Sequence, residues 1–283
     1  MRYPTSSFPL HPARALIGAL LLTAACSAFA FTPINDSFSG TTLSPLLMTG
    51  GQSASHTVND GITLTTGTAN YIRSWVGTAA NDYTWVGSSD PVTYAFTLDS
   101  FSGAVNSINL VLVGNNDPIY TGATPDYSPA HVLGIQLIYS SATDDYTLNL
   151  YVKPNSASAG FSGVSFGPKL SIKGIAASSL IGGTFGFTID PVTNQVVLEA
   201  NAVQSTTSYT LDPTVVSSYF GTNAAAYLGV TNSNTGASAT AEFSRLMIGT
   251  ASQIPEPSTV ALAMGACALV GAGFVIRKRR LVR

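Results

Sequence analysis

Charge is scarce in this chain: only 9% of its 283 residues are Asp, Glu, Lys or Arg. The basic residues gather at the two ends. Residues 31–253 keep five of them (Arg73, Lys153, Lys169, Lys173 and Arg245) against thirteen acids, so this stretch carries −8 where the whole chain carries −2. With no basic patch to neutralise phosphates, nucleic acid and anionic lipid are excluded as partners. Cysteine is also rare. Cys26 and Cys267 are the two in the chain, and both lie in terminal segments. The middle can therefore form no disulfide and offers no thiol nucleophile. A domain of this size buries enough surface to fold without such staples. His56 and His131 are the only histidines between residues 31 and 253. A zinc site needs three or four ligands, and two histidines with no cysteine argue against one. No G-x-S-x-G elbow occurs to support a serine triad. Glutamate is limited to Glu199 and Glu242 in the same region.

What is present begins with the two ends. Arg2 and Arg14 precede an apolar stretch over 15–25, and Ala28-Phe29-Ala30 follows. This is the pattern of a secretory signal peptide cut after Ala30 by signal peptidase, with Ala28 and Ala30 as the small residues of the cleavage site. A rival reading makes Cys26 a lipoprotein cysteine, although Thr23 stands where that signal has leucine. At the other end Pro255-Glu256-Pro257-Ser258 precedes an uncharged run over 260–276, and Arg277-Lys278-Arg279-Arg280 follow it. The prolines stiffen the entry. The run is long enough to span a bilayer as a helix. The basic cluster should stay cytoplasmic as a membrane stop. The expected organisation is a signal peptide over 1–30, a passenger domain over 31–250, a linker over 251–259, a transmembrane helix over 260–276 and a basic tail over 277–283.

The C-terminal residues resemble the PEP-CTERM sorting signal of Gram-negative bacteria: Pro255 to Ser258, the apolar run and the arginine-rich end. The resemblance implies processing near that motif by an exosortase, and a host that makes exopolysaccharide. It covers about a tenth of the chain and says little of what the passenger does.

The passenger is rich in Ser, Thr, Gly and Asn, and its apolar residues alternate with polar ones. Alternation with turn punctuation predicts many short strands. Residues 56–58 and 62–65 flank Asn59-Asp60-Gly61, a turn tolerant of positive φ. Further strands are expected over 92–98 and 105–113. Three hairpins are expected: 132–139 with 146–152, 184–189 with 195–200, and 225–231 with 239–248. The best helix runs over 213–220, opened by Asp212 and closed by Gly221. A weaker one covers 175–180. This is an all-β, antiparallel β-sandwich. Its opening Ile34-Asn35-Asp36-Ser37-Phe38 and its closing segment around Phe243-Ser244-Arg245-Leu246-Met247-Ile248 resemble the first and last strands of concanavalin A-like, laminin-G-like jelly rolls. That resemblance implies that the two ends pair in one sheet, that Phe38 and Phe243 share a core, and that 183–201 is the central hairpin.

Three chemistries follow from these residues. Glycoside hydrolysis needs two carboxylates flanking a bond. Laminarinase-like members of the jelly-roll fold carry them as E-x-D-x-E, and neither Glu199 nor Glu242 sits in such a pattern, so no enzyme is expected. Calcium is the cation the oxygen-rich loops would suit, with Asn115, Asp117 and Asp126 as donors beside Asn116, and Asp144 with Asp145 as a second group. Such residues also serve as ordinary turn formers. Carbohydrate binding would use exposed aromatics beside polar groups. Two clusters qualify: Trp75, Tyr83 and Trp85, and Tyr120 with Tyr127. The leading expectation is a secreted structural or adhesive protein of the envelope or polysaccharide matrix. The alternative is a lectin-like carbohydrate-binding module, and the second alternative is a glycan hydrolase.

Overall fold

The computed structural model describes residues 31–51, 54–68, 73–114, 132–140, 144–153, 167–232 and 236–253. Both sequence signals, together with Asn115, Asn116, Asp117, Tyr120, Asp126 and Tyr127, lie outside the described residues. Among those described, no helix is long and apolar enough to cross a membrane.

Among the described residues, sixteen strands follow in chain order. They are β1 (Ile34–Asp36), β2 (Leu47–Gly51), β3 (Ser55–Val58), β4 (Ile62–Thr65), β5 (Arg73–Thr78), β6 (Val92–Gly103), β7 (Val105–Gly114) and β8 (Val132–Ser140). Then come β9 (Asp145–Lys153), β10 (Leu170–Ile175), β11 (Gly183–Ile189), β12 (Gln195–Ala200), β13 (Val203–Gln204), β14 (Tyr209–Thr210), β15 (Ala224–Asn232) and β16 (Ala239–Thr250). One sheet has nine strands in the order β13-β12-β11-β6-β16-β4-β3, with β1 on β16 and β14 on β12. The other has seven in the order β10-β9-β8-β7-β15-β5-β2. All strand pairs within the two sheets are antiparallel.

Period-2 alternation explains the core between the sheets. Ile108, Leu110 and Leu112 of β7, Leu133, Ile135 and Leu137 of β8, and Tyr94, Phe96 and Leu98 of β6 all point inward and are buried in one cluster. Fully burying one such side chain contributes about 1.5–3 kcal/mol. The rings of this layer interlock: Phe96 lies edge-on to Phe243 at 5.6 Å and Tyr94 stacks on Phe187 at 5.1 Å.

The local expectations hold at most points. Asp60 has φ 51° in the β3–β4 turn. The β8–β9 and β11–β12 hairpins form. In the second of these turns, Oδ1 of Asp190 accepts from the backbone N–H groups of Val192 and Thr193. Those donors hold the Asp190 carboxyl below its usual range. Asp212 caps the helical segment by accepting from the Thr214 N–H at 2.7 Å, and the segment continues as a π-helical turn to Phe220. The weaker helix is a single 3₁₀ turn, Ala177–Ser179.

One expected hairpin is corrected. The segments 225–231 and 239–248 do not pair with each other: β15 lies between β7 and β5 in the seven-stranded sheet, and β16 lies between β6 and β4 in the other. The intervening residues carry the chain from one sheet to the next. The same happens at Ala104, between β6 and β7.

The chain ends meet as the terminal strands suggest. Ile34 pairs with Ile248, and Phe38 and Phe243 are both buried in the main core. Thr250 pairs with Val92, and Phe31 packs on Tyr83 at 5.1 Å between ring centroids. Residues 31 and 253 therefore leave the sandwich at the same pole.

Candidate functional site

The outer face of the seven-stranded sheet, turned away from the core, carries a second set of buried side chains. Trp75, Val111, Val113, Val132, Ala225 and Tyr227 form an apolar cluster there, with Tyr151 against it. Trp75 and Tyr227 meet edge to face at 5.3 Å and 88°. Two glycines make this possible. A Cβ on Gly50 would stand 2.3 Å from Cζ2 of Trp75, and one on Gly77 would stand 2.3 Å from Cδ1 of Tyr227. Each ring thus lies over a glycine of the next strand. Burial raises the hydroxyl pKa values of Tyr151 and Tyr227, so both are neutral phenols at physiological pH.

Beside this apolar half runs a row that crosses every strand of the sheet. Gly50 of β2 pairs with Trp75 of β5, which pairs with Gly229 of β15. Gly229 pairs with Asn109 of β7, Asn109 with Gln136 of β8, Gln136 with Asn149 of β9, and Asn149 with Ser171 of β10. The row therefore holds an aromatic ring at one side and four uncharged polar side chains at the other. Asn109, Gln136 and Asn149 are 6%, 3% and 7% exposed. The edge pair is satisfied, since Ser171 Oγ donates to Asn149 Oδ1 at 2.6 Å. Asn109 donates through Nδ2 to Ser107 Oγ at 3.0 Å and to Thr231 Oγ1 at 3.4 Å. The carbonyl oxygens at the centre, Asn109 Oδ1 and Gln136 Oε1, have no hydrogen-bond partner among the described residues.

Sequence reasoning missed this row because its members lie far apart in the chain and only strand register unites them. A signal was present. Each amide sits between two core residues of an alternating strand: Ile108-Asn109-Leu110, Ile135-Gln136-Leu137 and Leu148-Asn149-Leu150.

The aromatic cluster expected from the sequence divides. Trp75 belongs to the outer face. Tyr83 and Trp85 lie in the core between the sheets and are no surface platform. Trp85 packs on Phe220 at 5.2 Å, and its Nε1 donates to Asn194 Oδ1 at 3.3 Å. Burial, with Asp82 beside it, pushes the Tyr83 hydroxyl up to about 12. The chain turns inward after β5, which is why residues so close in sequence face different spaces.

The two glutamates are widely separated. Glu199 of β12 accepts from Gln204 Nε2 at 2.7 Å, and Glu242 of β16 accepts from Ser100 Oγ at 3.0 Å. Strands β11 and β6 lie between them. Three strand spacings alone amount to ~14 Å, beyond the ~5–10 Å of a glycosidase pair.

Among the described residues, no group of three His, Cys, Asp or Glu side chains could hold a metal. Asp144 is exposed and accepts from the Tyr139 hydroxyl at 2.7 Å, which raises the pKa of that tyrosine. The hollow beside Tyr139 and Tyr146 measures about 30 Å³, room for a water and no more. His56 lies in a polar hollow of about 220 Å³ at the β2–β3 turn, its Nε2 3.2 Å from Thr49 Oγ1. One histidine beside one hydroxyl makes neither a triad nor a metal site.

The likeness to solved structures matches this architecture. The carbohydrate recognition domain of Emp47p superposes with a TM-score of 0.54 at 13% identity, over 77% of this chain and 94% of that one. The fold is a lectin-like jelly roll. Peanut lectin, solved with a nine-residue peptide, gives a TM-score of 0.50 at 14% identity over 77% of this chain and 96% of its own. The metal-free carbohydrate recognition domain of Emp46p gives 0.50 at 11% identity, over 72% and 88%. No protein-family model matches the lectin-like chain, and no match is found among curated proteins.

Proposed function

We propose that residues 31–250 form a secreted, non-enzymatic, lectin-like module that binds glycan. The observation that carries this reading is the lectin-like jelly-roll fold, which the chain shares with a carbohydrate recognition domain. It favours glycan binding over the purely structural role that leads from the sequence alone.

The setting follows from the sequence signals. Signal peptidase would release the N-terminus after Ala30. The segment over 260–276 would hold the precursor in the inner membrane until an exosortase acts near Pro255-Glu256-Pro257-Ser258. The module would then act as an adhesive component of the cell surface or exopolysaccharide matrix. Calcium, if it contributes, would be held by Asn115, Asp117 and Asp126. The separation of Glu199 from Glu242 favours binding without hydrolysis.

A glycan array probed with the secreted protein tests the proposal, with reducing-sugar release measured on every glycan bound. Binding without release is expected. Release of sugar that is lost in Glu199→Gln or Glu242→Gln would establish a hydrolase instead.

A further inference from the structure

Resting on the glycan-binding reading above, we infer that the hollow beside Tyr139, at the pole remote from the chain ends, binds the N-acetyl group of a hexosamine residue. The acetyl methyl enters the hollow, the amide pairs with Asn106, and the sugar ring lies on Tyr139.

The hollow exists because inward alternation outruns the packed core. Tyr139 continues the inward face of Leu133, Ile135 and Leu137 at the end of β8, and Tyr146 starts the inward face of Leu148 and Leu150 on β9. The two tyrosines pair in register. Their rings meet at 5.4 Å, and Phe101 of the opposite sheet meets Tyr146 edge to face at 5.9 Å and 72°. Three rings thus frame the gap between the sheets. Leu98, Ile108, Leu137 and Leu180 form its buried floor. Tyr139 is 46% exposed, while Phe101, Tyr146 and Asn106 are half-buried. The Tyr139 hydroxyl donates to Asp144 Oδ1 at 2.7 Å, which fixes the orientation of the ring.

Size and chemistry select the occupant. The floor is aliphatic, so a water there would lack the ~2–4 polar partners an ordered water needs. A methyl group needs none. At about 30 Å³ the space suits one methyl and is too small for the leucine or phenylalanine side chain by which a protein partner would anchor. Asn106 lines the same hollow, and its side chain carries a donor and an acceptor that match the carbonyl and N–H of an acetamide. The exposed ring of Tyr139 offers an apolar face to a pyranose. A 6-deoxy sugar would bring a methyl but leave the Asn106 amide without its match. The position also suits a ligand from outside. β6 is twelve residues long, ~40 Å at ~3.3 Å per residue. Val92 at its start pairs with Thr250 at the pole where the chain ends leave, and Phe101 lies near its other end. The hollow therefore faces away from the tail and stays accessible in a protein held by it.

The test titrates the secreted protein with tri-N-acetylchitotriose, its fully deacetylated glucosamine trimer, cellotriose and a rhamnose trisaccharide. The acetylated trimer should bind, and the other three at least about tenfold more weakly. Tyr139→Ala and Asn106→Ala should each weaken that binding about tenfold, as loss of a ring contact or of a ligand hydrogen bond does. Both side chains are partly exposed, so the melting temperature should stay near that of the wild type. Tyr139→Phe keeps the ring and should keep the binding. A measurement without substitution runs in parallel: in saturation-transfer NMR the acetyl methyl protons should receive the strongest signal. Affinity unchanged in both alanine variants would overturn the inference and leave the lectin reading standing. So would a loss in Tyr139→Phe as large as in Tyr139→Ala, rhamnose binding as tight as that of the acetylated trimer, or saturation that misses the methyl. Binding of other glycans on the array but not of the acetylated trimer would do the same. Failure of the wild type to bind any glycan would end the lectin reading itself.

Discussion

The indole of Trp75 lies over Gly50 of the neighbouring strand, so close that no side chain fits between them. Trp75 in turn supports the edge of Tyr227, whose own ring lies over Gly77. The two glycines set how near the aromatic rings approach the sheet, and so set the shape of the outer face.

Gly50→Ala should therefore lift the indole. Overpacking of this kind costs about 1–3 kcal/mol. A lower urea midpoint and an altered near-ultraviolet circular dichroism signal are expected. An unchanged midpoint together with an unchanged aromatic signal would show that Trp75 does not lie on that glycine.

Asp190 should make the β11–β12 turn sensitive to acid. Its carboxyl is held below the ordinary value of 3.8, chiefly by the Thr193 N–H and then by the Val192 N–H. A depressed carboxyl contributes stability that is complete above the unfolded value and is lost as pH falls through the lower folded one. Asp190→Asn should be less stable than the wild type at neutral pH, and the gap should close as pH drops below that of free aspartate. Thermal melts between pH 2 and pH 7 measure it; a gap constant across this range would contradict the assignment.

Glu199→Gln and Glu242→Gln should leave stability within about 0.5 kcal/mol of the wild type, as partly exposed substitutions with neutral hydrogen-bond partners do. Neither should change glycan binding, because each carboxylate is already taken up by a neighbour on its own sheet, Gln204 for Glu199 and Ser100 for Glu242. Denaturant titration and a binding isotherm check the two halves separately.

Replacing Arg277, Lys278, Arg279 and Arg280 by neutral residues should impair membrane retention and sorting of the precursor, because positive residues hold a tail on the cytoplasmic side. Fractionation of a tail-reporter fusion measures this. A wild-type reporter found wholly in the periplasm would refute the anchor.

Much of the fold was legible because its signals are local. Alternation located the strands, Asp60 marked a turn through its backbone preference, and Asp212 announced a cap. The pairing of β1 with β16 followed from resemblance at the two ends. What the sequence hides is where a connection leads. The residues after Asn232 read as a hairpin turn, yet there the chain changes sheet, as it also does at Ala104. A turn signal reports that the chain bends, and burial on the far side decides which partner it meets. The candidate site was hidden for a related reason. Trp75 looked like a companion of Tyr83 and Trp85, whereas its real neighbours are Gly50, Gly229 and Tyr227 on other strands. Asn109, Gln136 and Asn149 become one row only through register.

The position of β16 bears on how such a module would behave under load. The strand is twelve residues long, lies between β6 on one side and β4 and β1 on the other, and ends at the pole where the chain runs on towards residue 253. Tension applied through the tail runs along the axis of β16. Its hydrogen bonds to three neighbouring strands then resist together in shear instead of parting one after another. A domain held by that end would take up force through the most extensively paired strand among the described residues.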